Sequence, residues 1–324
     1  MNRLVAYRAI EGISQTDLAK MLKVTPQMVS LVESGRRSFT GDLSALGYDN
    51  LRLAIPDMSE PLHRQRASTS VAARRRAQEL LRLAGEVFRE LRERTERVPT
   101  IALEPTASPV DPDEIDDLAL DARCMLQHEP TGPIQNLTSA VERAGVCVVP
   151  IVGLEGIDGI SSWVDGIPVI GLNPNVPGDR FRLSLGHELG HLLFHKRKTD
   201  ASEGEANRFS SALLFPREQY EAVLPERPQL RDFVGLKSSW GVSVAALVYR
   251  AHELNIIDDQ RFRSLQIQMS RWRRNEPGRF APTHGELFRR LIDINGGADS
   301  VSLQLGVNRK HLHDISTWSH LRAT

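Results

Sequence analysis

Gly186-His187-Glu188-Leu189-Gly190-His191-Leu192-Leu193-Phe194-His195 sets two histidines four residues apart, with an acid beside the first. On an α-helix residues i and i+4 share one face, so both imidazoles reach a single point while Glu188 projects beside it. A hydrolytic zinc site needs this arrangement: two imidazoles on the ion, an open position for water, and a carboxylate able to take that water's proton. The five-residue pattern arises by chance in on the order of one chain in a hundred of this size. It therefore outweighs the reading of an ordinary helix with two satisfied histidines.

Such a site needs a third protein ligand, and His195, Glu203 and Glu205 are the nearby donors. Three side chains stacked along one helix over roughly 12 Å cannot surround one ion, so His195 reads as a helix-end residue favoured by the dipole. Glu203 has Asn207 one turn later on its own face, where the amide can accept a hydrogen bond from a ligating imidazole. Glu205 points to another face and reads as a solvated carboxylate, although it stays open as a ligand at this point.

The flanking sequence builds a frame for the motif. Arg180 to His195 and Glu203 to Leu214 read as helices, the second stopped by Pro216. Upstream, a helix after Leu137 precedes three short strands at Val146 to Ile151, Gly159 to Val164 and Pro168 to Leu172. Asp165-Gly166 forms the turn between the last two, and a small antiparallel sheet is expected.

These residues carry a resemblance. Gly186 through His195, then Glu203-Gly204-Glu205-Ala206-Asn207-Arg208-Phe209 and Ala212-Leu213-Leu214-Phe215-Pro216, resemble the ImmA/IrrE metallopeptidases. So do Gly145 to Val149, Ile157 to Ser161, and Gly171 to Asn175 followed by Asp179-Arg180-Phe181. The resemblance covers about residues 115 to 225. It implies zinc on His187, His191 and Glu203, with Glu188 as catalytic base and Asn207 behind the ligands. Gly186 stands where the family often has Ala, a departure expected to have little chemical consequence.

Near the N-terminus the chain reads as short helices. Ser14 caps one with Leu18, Ala19 and Leu22 on its buried face; Thr25 caps the next, with Pro26 at its first position and Val29 and Val32 inward. Residues 2 to 47 resemble the Xre, or phage-repressor-like, helix-turn-helix: Gly12-Ile13-Ser14-Gln15, Leu18-Ala19, Val24 to Val29, then Glu33-Ser34-Gly35-Arg36. The resemblance implies a backbone contact from Gln15, base-edge contacts from Gln27, Met28 and Ser30 beside Thr25, and phosphate near Arg36 and Arg37. Lys23 occupies a turn position where that family commonly has Gly, which calls for an adjusted or left-handed backbone. The same fold could instead serve only dimerisation or partner binding.

Residues 55 to 64, with Pro56 and Pro61, read as a linker. Arg64 to Arg97 reads as one long helix with an apolar stripe of Leu80, Leu81, Leu83, Val87, Phe88 and Leu91, which makes a homodimer an expectation. Pro99, Pro105, Pro109 and Pro112 mark a second linker. In the C-terminal part, Ser300 to Ile315 repeats the apolar spacing and turn of Thr16 to Val32, and Leu236 to Arg250 has a similar helix-turn-helix rhythm. For both segments, a degenerate helix-turn-helix and simple packing against the peptidase are open.

Of the 324 residues, 40% are apolar and 25% charged, ordinary proportions for a globular protein and outside the fibrous and disordered classes. The zero net charge divides into about +5 over residues 1–98, about −11 over 99–226 and about +6 over 227–324, so the basic ends permit nucleic-acid contact. Cys124 and Cys147 are too few for a thiolate zinc site and suit a reducing compartment. With no signal-like N-terminus and no long apolar run, a cytoplasmic protein without membrane contact is expected.

The expected fold is α+β, mostly α. A helix-turn-helix domain spans 1–54, a linker with a basic helix 55–113, a zincin-like domain with the small sheet and the HExxH helix 114–225, and a helical region 226–324. The leading expectation is a DNA-binding transcriptional regulator with a zinc endopeptidase domain that cleaves a repressor, or itself, in response to a signal. The other is a DNA-binding antitoxin or autoregulator whose peptidase-like domain holds a cognate toxin or senses a ligand. Operator DNA and a protein substrate or toxin are the partners expected. A purely structural zinc ranks last, because the open position and adjacent carboxylate belong to a working site.

Overall fold

The computed structural model describes residues 2–48, 55–65, 69–106, 111–151, 156–272, 276–278 and 280–318, with backbone alone over 62–65. Among these are fifteen α-helices and one four-stranded sheet, in two compact units. One unit gathers residues 1–99, 146–173 and 285–324; the other holds 100–145 and 174–284. The compact units therefore do not follow the linear succession of segments.

The first unit begins with α1 (Arg3–Glu11), α2 (Gln15–Met21) and α3 (Pro26–Glu33). Ser14 and Asp17 form a reciprocal capping box on α2, and the Thr25 hydroxyl accepts from Met28 N to start α3. Leu4, Leu18, Ala19, Val29 and Val32 are buried between the three helices. Lys23 takes the left-handed conformation at φ 54°, so the α2–α3 turn keeps its shape without glycine.

The stretch expected as linker instead contributes β1 (Leu62–Gln65), an edge strand paired antiparallel with β3 (Ile157–Val164). Pro61 falls just before that edge strand, where its missing N–H breaks no ladder bond. Helix α4 (Val71–Glu93) starts at the Ser70 cap, later than expected, since Arg64 and Gln65, expected in the helix, lie in β1. Its stripe, Leu80 to Leu91, is fully buried, and α4 packs on α1 and on the sheet strands. The apolar face read as a dimer seam is thus covered by the chain itself.

Strands β2 (Cys147–Pro150), β3 and β4 (Ile167–Leu172) complete the sheet in the order β1-β3-β4-β2. Asp165 and Gly166, both at positive φ, turn β3 into β4. The sheet is mixed, not antiparallel as expected, since β2 pairs parallel to β4. All four β2 residues are buried, a continuous apolar run of the kind parallel pairing favours over the alternation of a half-solvated strand.

The unit closes with α13 (Leu287–Ile294), α14 (Gly297–Leu305) and α15 (Arg309–Ser316). Val307 N reaches Ser302 O (3.0 Å) as Val24 N reaches Ala19 O (2.9 Å), and Asn308 caps α15 as Thr25 caps α3. Buried Val301, Val307, Leu312 and Ile315 repeat the spacing of Leu18, Val24, Val29 and Val32. The start of α15 nonetheless turns inward: buried His311 bonds Tyr48 Oη (2.6 Å) and Glu11 (2.6 Å), and Lys310 pairs with Glu11 (2.8 Å).

The second unit holds α5 (Pro112–Met125), α6 (Leu137–Arg143), α7 (Gly178–Phe194), α8 (Ser202–Leu214), α9 (Arg217–Val223), α10 (Leu230–Trp240), α11 (Val244–Glu253) and α12 (Asp259–Ser270). Helices α7 and α8 lie side by side, with α5 and α11 against α8 and α6 against α7. Buried Arg123 ties α5 to this core by donating to the carbonyls of Glu129, Thr131, Gly132 and Leu213. The α10–α11 pair packs here too, through Phe215, Tyr220 and Trp240 and the bond from Tyr220 Oη to Leu247 O.

Candidate metal centre

Almost every residue of α7 is buried, so its charged side chains must be satisfied inside the protein. Asp179 pairs with Lys237 (2.8 Å), itself held by Glu276 (2.6 Å). Arg182 donates to the carbonyls of Ile134 and Gln135; burial pushes its guanidinium down to about 10, which leaves it cationic at neutral pH. These contacts anchor the N-terminal half of α7 and fix the rotation of the face carrying the histidines.

His187 and His191 lie one turn apart with their rings edge to face, centroids 4.5 Å from each other. Helix α8 brings Glu203 to the same point, with its carboxylate oxygens 3.6 Å from His187 Nε2 and 3.8 Å from His191 Nε2. One donor atom from each of the three lies within 4.8 Å of the others. This approach depends on small residues in α7. A Cβ at Gly186 would sit 2.6 Å from Ser210 Oγ and 3.3 Å from Ser210 Cα, and one at Gly190 2.9 Å from the Phe209 ring. Gly186, expected to be inconsequential, lies at the α7–α8 contact.

The donor set suits zinc. Two imidazole nitrogens and a carboxylate oxygen are its usual ligands, and bonds of about 2.0–2.1 Å in a tetrahedron separate donors by roughly 3.3–3.4 Å, so the three groups need only a small contraction to surround one ion. The outward ring nitrogens are also engaged, which fixes the rings. His187 Nδ1 lies 3.0 Å from Asn207 Oδ1, and His191 Nδ1 lies 2.9 Å from His195 Nδ1. His195 Nε2 is 2.6 Å from Glu205 Oε2. Glu188 is wholly buried beside His187, and Lys198 Nζ stands 3.1 Å from Glu203.

Two expectations need correction at this point. His195 is not merely a helix-end residue, and Glu205 is not a solvated carboxylate; together they form a chain leading outward from His191. The four-residue step from His191 to His195 was the available signal. That step suits a hydrogen bond between the two rings.

On the helix-turn-helix, Thr25, Gln27, Ser30, Arg36 and Arg37 are exposed and Met28 is half-buried. Gln15 is turned inward, its amide donating to Glu33 (2.7 Å), while Arg8 grips the same carboxylate (2.6 and 2.9 Å). Burial would raise the Glu33 carboxyl, but the Arg8 and Gln15 bonds outweigh it and hold the group below its ordinary range. The amide expected on phosphate is therefore engaged within the module.

Residues 4–44 match the family model described as Helix-turn-helix, and residues 141–252 match the peptidase-family model described as IrrE N-terminal-like domain. The second match runs on through α10 and most of α11, beyond the expected domain end at residue 225. No curated protein matches the chain. A helix-turn-helix domain and an IrrE-like domain of a peptidase family thus share one polypeptide. No helix among the described residues is long and apolar enough to cross a membrane.

Proposed function

We propose that this chain, which joins a helix-turn-helix DNA-binding domain to an IrrE-like peptidase domain, is a transcriptional regulator that acts as a zinc endopeptidase on a separate protein. The observation carrying the reading is the convergence of His187, His191 and Glu203 within 4.8 Å, with Glu188 buried next to them. His187, His191 and Glu203 hold the ion, and Asn207 orients His187. Zinc bound there supplies an acidified water and a Lewis acid for a peptide carbonyl. Glu188 takes the proton released in the attack and returns it to the leaving amine nitrogen. The Gln27, Ser30, Arg36 and Arg37 surface meets operator DNA.

A separate substrate is favoured over the chain's own connecting segments because their described parts are already paired. Ser59 N bonds Trp163 O, residues 62–65 form β1, and Ala102 and Thr106 bond Ala144 and Leu193 through the backbone. A protease binds extended backbone that is free to pair.

Wild type and Glu188→Gln are to be incubated with co-encoded proteins, and fragments identified by mass. Cleavage by wild type that disappears in the variant, with zinc retained, is expected. Cleavage that persists in Glu188→Gln overturns the mechanism; stable capture of an intact co-encoded toxin, with no fragment, favours an antitoxin.

A further inference from the structure

We infer that His195 and Glu205 are positioning residues for the metal centre, forming a hydrogen-bonded chain that holds His191 in its ligating tautomer. The inference rests on the reading of His187, His191 and Glu203 as zinc ligands.

The proton arrangement follows from the distances. An imidazole that gives Nε2 to a metal ion carries its hydrogen on Nδ1. His191 Nδ1 faces His195 Nδ1 at 2.9 Å, so His195 must present a lone pair there and carry its own hydrogen on Nε2. That Nε2 points at Glu205 Oε2, 2.6 Å away, and an ionised carboxylate only accepts. One arrangement satisfies the whole chain: Glu205 accepts from His195, which accepts from His191, whose Nε2 then carries no hydrogen. With the tautomer of His195 reversed, two N–H groups would point at each other over 2.9 Å.

Burial makes this chain consequential. His191 and His195 have side chains 0% and 1% exposed, so water does not replace a lost partner. Glu205, 19% exposed, is the end at which the chain meets solvent. The two ligating histidines thus have unlike supports: a neutral amide behind His187 and a charged relay behind His191.

The test uses the full-length chain, stripped of metal and titrated with Zn²⁺ against a competing chromophoric chelator. Wild type should bind one zinc, abolished by His187→Ala. His195→Leu should weaken binding about 10–100-fold, the usual cost of removing such a partner. Because a buried leucine can disturb folding, the half-exposed end supplies a second comparison. Glu205→Gln keeps an acceptor for His195 and should bind nearly as wild type, whereas Glu205→Leu should fall toward His195→Leu with an unchanged circular-dichroism spectrum. Imidazole ¹⁵N shifts should show the Nδ1–H form of His191 in wild type and Glu205→Gln, and a mixture of tautomers in Glu205→Leu. Wild-type affinity in a folded His195→Leu or Glu205→Leu protein overturns the inference. A wild type that takes up no zinc overturns the metal reading itself, and this one with it.

Discussion

His187 and Asn207 come from facing helices, yet Nδ1 of the one and Oδ1 of the other stand 3.0 Å apart. The amide oxygen accepts from the imidazole and fixes both ring rotation and tautomer. Asn207→Leu should therefore cut zinc affinity about 10–100-fold, and Asn207→Asp, which keeps an acceptor oxygen, should bind zinc more tightly than Asn207→Leu. Chelator competition on the folded variants measures both.

Gly186→Ala should destabilise the protein although alanine is the better helix former. The added Cβ meets Ser210 Oγ at 2.6 Å, Cβ at 3.2 Å and Cα at 3.3 Å, and that hydroxyl is held by its bond to Leu183 O (2.7 Å). Overpacking costs about 1–3 kcal/mol, against a helix gain of about 0.5–1 kcal/mol. A lower melting temperature, together with weaker zinc binding as α8 is pushed from α7, is the expected result; Ser210→Ala in the same background should restore much of both.

The candidate metal ligands were legible because helical period alone places His187 and His191 together, and Asn207 four residues after Glu203 marks the partner helix. The strands between 146 and 172 were legible from their apolar runs and the Asp165-Gly166 turn. Local pattern says nothing of which distant segment supplies an edge, so β1 was hidden in a proline-bounded stretch and the parallel β2–β4 pairing was missed. His195 and Glu205 escaped for another reason. Each is an ordinary polar residue in sequence and acquires a role only through a contact between two helices.

Arg36 and Arg37 are exposed just beyond α3, and as proposed phosphate contacts their loss should lower DNA affinity uniformly. Each replacement by alanine should reduce the slope of log affinity against log salt by about 1, without changing the preferred site. Gln27→Ala should instead relax preference at one base pair by about 1–3 kcal/mol. Fluorescence anisotropy with operator and mismatched duplexes at several salt concentrations separates the two behaviours.

Acid should loosen the packing of α15 on the first helices. Burial holds His311 below its ordinary 6.5, outweighing the pull of Glu11; Glu11 itself is held below 4.5 because the Lys310 and His311 bonds outweigh its burial. Both groups bind fewer protons folded than unfolded, so the stability they contribute is present above about pH 6.5 and is lost as pH falls, first through His311 and then through Glu11. Thermal melts should drop by a few degrees between pH 7.5 and 5, at roughly 2–4 °C per kcal/mol for a domain of this size. His311→Gln should flatten the upper part of that profile.

The gathering of residues 1–99, 146–173 and 285–324 into one unit separates covalent continuity from physical integrity. Arg3 on α1 grips Glu86 on α4 (2.6 Å), and Glu11 is held by Lys310 and His311 from the far end of the chain. One scission at any exposed point between these stretches leaves fragments that remain associated, migrating as a single species in gel filtration and parting only in denaturant. Nicking and release are then distinct events. A clipped chain would keep its grip on DNA until the noncovalent packing around α4 was itself undone.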